Sequence, residues 1–314
     1  MKLYKNIVKD SWRLTFKNKY LWFFGLFAML LGNGGEYELL FRSIDKSGRT
    51  ESIWSGFIGQ AGLGFDTLSN LGKRLWENPS VTLVIIAAYL FILSIFLFVF
   101  WMMNVSQIAI VNAAARQARG KDHNVHIGLQ KGIRHFWPVF SLNLIIKFLV
   151  IASLAFLTMA SNSTMYVVWF LITIPLVISI SFILKYTIAY VVVRKENLFN
   201  ALTLGWSLFK NNWIISLELA VLLYALVAVV FVLFVPLAFI VFSLFYVLTI
   251  VIMAEGSILA FNLFYIVMPS VIFLLLAFIG SMLAVFQTST WTKLFLELDN
   301  KGAKSKIERV FSRQ

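Results

Sequence analysis

Apolar positions in this chain form long blocks, and the blocks alternate with shorter stretches rich in charged and polar residues. The apolar runs at residues 81–103 and 165–193 are each long enough to cross a hydrocarbon core of ~30 Å, because a spanning helix needs ~20 residues. The short alternating runs that are typical of transmembrane β-strands are missing. The pattern therefore predicts an all-α fold, that of a polytopic helical membrane protein.

Three stretches join an amphipathic segment to a following apolar one. The clearest covers residues 199–223, where the polar and apolar parts meet near Trp213, and similar stretches cover residues 6–30 and 127–149. Across residues 2–20, which include the start of the N-terminal stretch, a basic helical face opposes an apolar one. The basic face carries Lys2, Lys5, Lys9, Arg13 and Lys17, and the apolar face carries Tyr4, Ile7, Val8, Trp12, Phe16 and Tyr20. In the central stretch, Leu129, Ile133, Phe136 and Trp137 face away from Gln130, Lys131 and Arg134.

These stretches indicate one unit that is used three times. The first and third copies align through Trp12 with Trp206 and Leu14 with Leu208, and a one-residue shift then aligns Asn18 with Asn211. All three copies begin on the same side of the predicted membrane, so they are parallel repeats of an amphipathic helix plus a helical hairpin.

The apolar blocks predict about six transmembrane helices in a single transmembrane domain. The first span is short, and we expect it to recruit residues on either side. Residues 1–80 hold an interfacial helix, span 1 (21–31) and an external loop; residues 81–193 hold spans 2–4; residues 194–291 hold spans 5–6 with a membrane-associated insertion near 236–266; residues 292–314 form a basic tail. A further crossing by the insertion is the alternative.

Composition agrees with this picture, and charge orients it. The chain has 60% hydrophobic and 13% charged residues, and its formal net charge is +13. The basic segments are the N-terminal helix, residues 116–134, the Arg194–Lys195 link and the tail, and short basic loops stay in the cytoplasm. An even number of spans keeps both termini inside a bacterial cytoplasmic membrane. The charge then faces anionic lipid and not nucleic acid; a protein partner or homo-oligomer stays open.

Four charged residues interrupt the apolar blocks, namely Lys147, Lys185, Glu218 and Glu255. Each costs ~2.5–3.5 kcal/mol at the bilayer centre on insertion scales, so we expect each to face protein or water. The predicted pairs are Lys147 with Glu218 and Lys185 with Glu255. Two interpretations are open: structural bridges, or a polar pathway for an ion, a proton or a lipid head group.

The sequence offers little for catalysis or for a metal. It has no cysteine and only three histidines, His123, His126 and His135, which lie in or beside one loop. A His-x-x-His pair without a second cluster is a weak metal signal, and no Gly-x-Ser-x-Gly elbow occurs. We therefore predict no enzyme, no cofactor and no metal. Trp22, Trp101, Trp137, Trp213 and Trp291 are interpreted as aromatic-belt anchors.

The segments YVVVRKENLFNALTLGWSLFKNNW, SWRLTFKNKYLWFFGLFAML and STWTKLFLEL together resemble a known family. It is the bacterial six-span domain described as the membrane domain of glycerophosphoryl diester phosphodiesterase, with its relatives of unknown function. The resemblance implies the fold. It does not imply the phosphodiesterase activity, because no His-Gly-x-Arg motif occurs.

The expected function is that of a non-enzymatic multi-pass protein in envelope or lipid homeostasis, or of a membrane partner of another protein. The alternative is a small transporter or channel that uses Lys147, Lys185, Glu218 and Glu255.

Overall fold

A computed structural model describes residues 2–32, 79–158, 163–254 and 258–301, and every element in these ranges is helical. The helices are α1 (Lys2–Lys17), α2 (Tyr20–Ala28) with a 3-10 turn (Met29–Leu31), α3 (Pro79–Ala118), α4 (Val125–Arg134), α5 (Phe136–Thr158), α6 (Ser163–Ala189) with a π-turn (Tyr190–Arg194), α7 (Leu198–Ala254) and α8 (Ile258–Lys301). The predicted external loop lies largely outside the described residues, as do most of the tail, the turn between α5 and α6, and Glu255.

Five of these helices are long and apolar enough to cross a membrane, which confirms a polytopic helical membrane protein. The candidate spans are Leu83–Ala118, Phe136–Ser153, Val167–Arg194, Leu198–Ile252 and Pro269–Asn300. The predicted first span is shorter, since its apolar helix covers only Tyr20–Leu31. The expectation that it recruits flanking residues is wrong, because a break at Asn18–Lys19 precedes it and Gly32, with φ +63°, ends it. At ~1.5 Å per residue this helix is about 18 Å long.

The region expected to be a separate insertion is part of two long helices. Helix α7 has 57 residues and continues through Pro236 to Ala254, and α8 begins at Ile258 and has 44 residues. Proline is tolerated inside membrane helices because the carbonyl that it frees can find other partners. The helix thus does not end at Pro236, whereas the end of span 5 near Pro236 and the non-crossing nature of residues 236–266 stay predictions.

Each amphipathic helix ends at a break. At each break, a side-chain nitrogen lies within hydrogen-bond distance of the backbone carbonyl four residues earlier. Asn18 Nδ2 donates to the carbonyl of Leu14 at 3.1 Å, and Asn212 Nδ2 donates to the carbonyl of Leu208 at 3.0 Å. His135 Nδ1 lies 3.1 Å from the carbonyl of Lys131. The partner of Asn18 in the third copy is thus Asn212 and not Asn211, and the alignment needs no shift.

Small residues form part of the packing faces of the amphipathic helices, beside larger buried side chains such as Ile7 and Leu14 of α1. Three pairs with the spacing i, i+4 are buried: Ser11 with Thr15, Gly128 with Gly132, and Ala201 with Gly205. A Cβ on Gly132 would lie 2.5 Å from Val105 Cγ1, and a Cβ on Gly205 would lie 2.5 Å from Thr187 Oγ1. Such pairs let helices approach closely in membranes. By contrast Trp12, Ile133 and Trp206 are more than half exposed.

Two compact units are distinguished, Leu40–Met102 and the remainder, Met1–Leu39 with Met103–Gln314. In the larger unit, α1 and α2 pack along α8: Trp12 meets Phe286 edge to face with the ring centroids 6.0 Å apart, and Ser281 Oγ donates to the carbonyl of Trp22 at 2.5 Å. At the ends of α6 and α8, Arg194 Nε donates to Asp299 Oδ2 at 2.7 Å. The placement of all 314 residues in a single transmembrane domain stays a prediction.

Candidate functional site

A small cavity inside the larger unit brings together side chains from five helical segments. We call it the chamber. It encloses about 60 Å³, and its walls come from the end of α2 with its 3-10 turn and from α3, α5, α6 and α8. Its polar lining residues are Gln107, Asn143, Lys147, Ser181, Lys185, Thr288, Trp291 and Thr292. Both lysines that the sequence singled out therefore line the same space.

The two lysines lie at similar depths along their helices. Helix α5 begins at Phe136 and α6 with its π-turn ends at Arg194. Lys147 therefore lies about 16 Å from the start of α5, and Lys185 about 14 Å before Arg194, at ~1.5 Å per residue. Both positions are close to half of a ~30 Å hydrocarbon core. A charge that far inside an apolar helix is rare and is by default a hypothesis for a functional site.

Lys147 lies where the short N-terminal apolar helix stops. Its Nζ is 3.6 Å from the point that a Cβ on Gly32 would occupy, and Gly32 has a left-handed φ of +63°. Carbonyl groups at the end of a helix carry a partial negative charge, which favours a nearby cation. The early end of the 3-10 turn at Leu31 therefore helps to hold the Lys147 ammonium at the chamber wall.

Lys185 is held by aromatic rings. Its Nζ lies 4.6 Å from the centroid of the Trp291 ring and 5.6 Å from that of Phe182. A cation over an aromatic face is attracted by the ring quadrupole, and the attraction grows when water is excluded. Trp291 is only 9% exposed, so its interpretation as a belt anchor is wrong. Trp137 and Trp213 are more than half exposed and stay candidates for that role.

An amide network lies beside Lys147. Asn143 precedes Lys147 by one helical turn, and its Nδ2 donates to Asn104 Oδ1 at 2.9 Å and to Gln107 Oε1 at 2.7 Å. Because both acceptors are side-chain oxygens, the amide NH2 group of Gln107 is left as a donor on the lining residue. This network orients α5 against α3 and adds hydrogen-bond donors to a cavity that already holds two cations.

Of the two acidic candidates, the structure describes only Glu218. Tyr4 donates a hydrogen bond from its hydroxyl to Glu218 Oε2, which joins α1 to α7. Glu218 is not among the residues that line the chamber. Glu255 lies outside the described residues, so its predicted pairing with Lys185 stays a prediction, as does the pairing of Lys147 with Glu218.

The histidines do not converge. His123 Nδ1 lies 2.9 Å from the Tyr20 hydroxyl, whereas His135 bonds to the carbonyl of Lys131. Among the described residues, no group of three or more His, Cys, Asp or Glu side chains could hold a metal ion.

The chamber can accommodate a small anionic group. A water molecule needs ~10–15 Å³ of such space, so the chamber offers roughly four to six water-sized positions, enough for one phosphate group. The described lining residues provide two ammonium groups together with amide and hydroxyl donors, and they include no carboxylate. Charge-assisted hydrogen bonds from such donors are the stronger kind.

The sequence identified the two lysines but not the residues that surround them. One signal for Asn143 was available in the sequence, because it precedes Lys147 by one helical turn. Gln107 and Trp291 lie on facing helices, and only the structure shows which helices face each other. Comparison with protein-family models, with curated proteins and with solved structures found no match. The geometry of the chamber therefore carries the functional argument.

Proposed function

We propose that this chain is a non-enzymatic multi-pass protein of a bacterial cytoplasmic membrane, and that its chamber binds a phosphate-sized anionic group. The observation that carries the proposal is the convergence of Lys147 and Lys185 on one cavity of about 60 Å³. An anionic phospholipid and free phosphate share the required chemistry. A lipid head group would connect the chamber to the expected role in envelope or lipid homeostasis.

The proposed architecture is six spans in three parallel repeats, with both termini in the cytoplasm. The three equivalent breaks at Asn18, His135 and Asn212 support the repeat. The short α2 acts as the first span by packing against α8, because a helix of about 18 Å does not cross a ~30 Å core alone. The resemblance to the membrane domain of glycerophosphoryl diester phosphodiesterase belongs to the same proposal.

The test is a binding measurement on the purified full chain. Thermal unfolding and native mass spectrometry are recorded with inorganic phosphate and, separately, with phosphatidylglycerol in place of phosphatidylcholine. Lys147→Gln and Lys185→Gln are compared with Lys210→Gln, which alters an exposed lysine outside the chamber. We expect each chamber variant to weaken binding about tenfold, since a hydrogen bond to a charged group contributes about 1.5–3 kcal/mol.

The two ligands separate the two sources of the anion. A response to phosphatidylglycerol alone assigns the chamber to a lipid head group, and a response to inorganic phosphate assigns it to the free ion. Equal binding by the chamber variants and by Lys210→Gln would contradict the proposal, as would the absence of any response in the unaltered chain.

Transport is the second candidate function. It is favoured by the position of the chamber near the middle of α5, since substrate sites near the bilayer midplane are common in transporters. Anion flux is measured in vesicles that contain the unaltered chain or Lys185→Gln. Flux that is lost in Lys185→Gln supports transport. Binding without flux supports the binding role and contradicts transport.

A further inference from the structure

A second cavity, larger than the chamber, lies between α1, the end of α3 and the end of α8. We call it the vestibule. It encloses about 580 Å³, within the range of ~300–1,000 Å³ that is usual for small-molecule sites. The charged side chains that line it are Asp10, Arg13, Lys17, Lys293 and Glu297. Neither the resemblance nor the chamber accounts for this cavity.

Lys293 is the most unusual residue of the vestibule. It is 7% exposed, although it lines an open cavity. Asp10 and Arg13 line the same cavity, but in the described part of the chain no direct hydrogen bond or ion pair ends on Lys293. A buried charge normally has a close partner, because removal from water is costly. An anionic group in the vestibule would give this ammonium a partner.

The charges of the vestibule are separated along its length. The α1–α2 segment and α8 run in opposite directions here, since Trp12 meets Phe286, whereas Trp22, further along the chain, meets Phe278. Along α1, Lys17 lies about 10 Å beyond Asp10 at ~1.5 Å per residue. Arg13 and Lys17 thus extend toward one end, and Glu297 lies toward the other. A simple anion would leave the two carboxylates of the lining without a partner, whereas a molecule with both charges can align with both ends.

We propose that the vestibule binds a zwitterion that carries a phosphate and a primary ammonium, the chemistry of a phosphoethanolamine group. The phosphate is held by Lys293 with Arg13 and Lys17, and the ammonium is held by Asp10 and Glu297. A phosphatidylethanolamine head group and a soluble phosphoethanolamine share this chemistry. The inference is independent of the chamber, because the two cavities have no lining residue in common.

The test measures thermal unfolding of the purified full chain with soluble phosphoethanolamine and with glycerol phosphate, which has the phosphate but no ammonium. We expect phosphoethanolamine to raise the unfolding temperature more. Lys293→Met, which keeps most of the side-chain volume, should weaken phosphoethanolamine binding about tenfold or more, as expected for loss of a hydrogen bond to a charged group. The control is Lys5→Met, an exposed lysine of α1 that does not line the vestibule.

Asp10→Asn gives a second readout, because Asp10 is exposed and its replacement leaves the Lys293 side chain in place. We expect this variant to lose the preference for phosphoethanolamine over glycerol phosphate. Equal responses to both ligands in the unaltered chain, no response at all, or unchanged binding by Lys293→Met would overturn the proposal.

The lipid and the soluble molecule are separated with nanodiscs of phosphatidylglycerol with and without phosphatidylethanolamine. If the lipid head group is the ligand, soluble phosphoethanolamine stabilises the chain only in discs that lack the lipid. A double variant, Lys147→Gln with Lys185→Gln, should keep its response to phosphoethanolamine. Failure of the chamber proposal would then leave this result unaffected.

Discussion

Asn18 at the end of α1 and Asn212 inside α7 make the same hydrogen bond, since each side-chain Nδ2 donates to the carbonyl of a leucine four residues earlier. Backbone carbonyls at the end of a helix lose their usual partners. The asparagine side chain supplies a donor at that point and lets the amphipathic helix stop beside an apolar one. At Asn212 the backbone leaves the helical region, with φ −135° and ψ 30°.

The first prediction concerns this hydrogen bond. Asn212→Ala should lower the free energy of unfolding by about 0.5–1.5 kcal/mol, because the carbonyl of Leu208 loses its donor. Asn211→Ala is the matched control, since Asn211 is the exposed neighbour and we expect little change there. Thermal unfolding in detergent compares them. A larger loss for Asn211→Ala would restore the shifted alignment of the repeats.

The second prediction concerns the close approach of α2 to α8. A Cβ on Gly25 would lie 2.8 Å from Val285 Cγ2 and would also collide with the backbone of Ser281. Gly25→Ala should therefore destabilise the chain by about 1–3 kcal/mol, the cost of overpacking. Gly128→Ala is milder, because its nearest neighbour is Ala109 Cβ at 3.2 Å. Equal unfolding temperatures for the two variants would show that α2 is not packed tightly on α8.

The third prediction concerns pH. Burial lowers the pKa of His135 from its ordinary value of 6.5, and the cations Lys131, Arg134 and Lys195 lower it further, against a hydrogen bond to the backbone of Lys131. Below about pH 6.5 the unfolded chain therefore binds a proton more readily than the folded chain. The resulting stability is present above that pH and is lost as the pH falls through the folded pKa.

The measurement is the unfolding temperature between about pH 7.5 and pH 5.5, the interval in which histidine titrates. His135→Gln should show a smaller decrease than the unaltered chain. His126→Gln, which alters an exposed histidine, should behave like the unaltered chain. If both variants have the same pH dependence, His135 is not the group responsible.

The fourth prediction concerns Tyr4 and Glu218, which join α1 to α7. Tyr4→Phe and Glu218→Gln should each lower stability, and the double variant should lose less than the sum. The expected coupling is about 1.5–3 kcal/mol, the range for a hydrogen bond to a charged group. Tyr4→Phe combined with Lys210→Gln should be additive. Additivity in the first pair would mean that the carboxylate of Glu218 is held by other groups.

The apolar blocks were sufficient to predict an all-α membrane protein, because a helix is the structure that satisfies its own backbone in lipid. The same pattern located the join at Trp213, one residue after the break at Asn212. Lys147 and Lys185 were also found by pattern, because a charge inside an apolar block is rare and costly. These predictions needed only local information.

The remaining features depend on which helices touch. The chamber exists because α2 ends beside Lys147 and because α8 brings Trp291 to Lys185. Neither contact can be inferred from the hydropathy of the sequence. Hydrophobicity usually indicates which residues are buried, and the sequence predicted only an apolar face for α1 and for α4. In lipid that guide fails, because the solvent is itself apolar and close helix contact instead favours small residues such as Gly128 and Gly132.

The packing of α2 on α8 also has a consequence for biosynthesis. Helix α2 emerges from the ribosome early. The surface that holds it, around Gly280 and Ser281, belongs to α8, which is the last described helix to be translated. A segment of about 18 Å has too little apolar length to stay across a bilayer by itself. We therefore expect the N-terminal helix pair to stay at the membrane surface during translation and to take its final place only when α8 has been made.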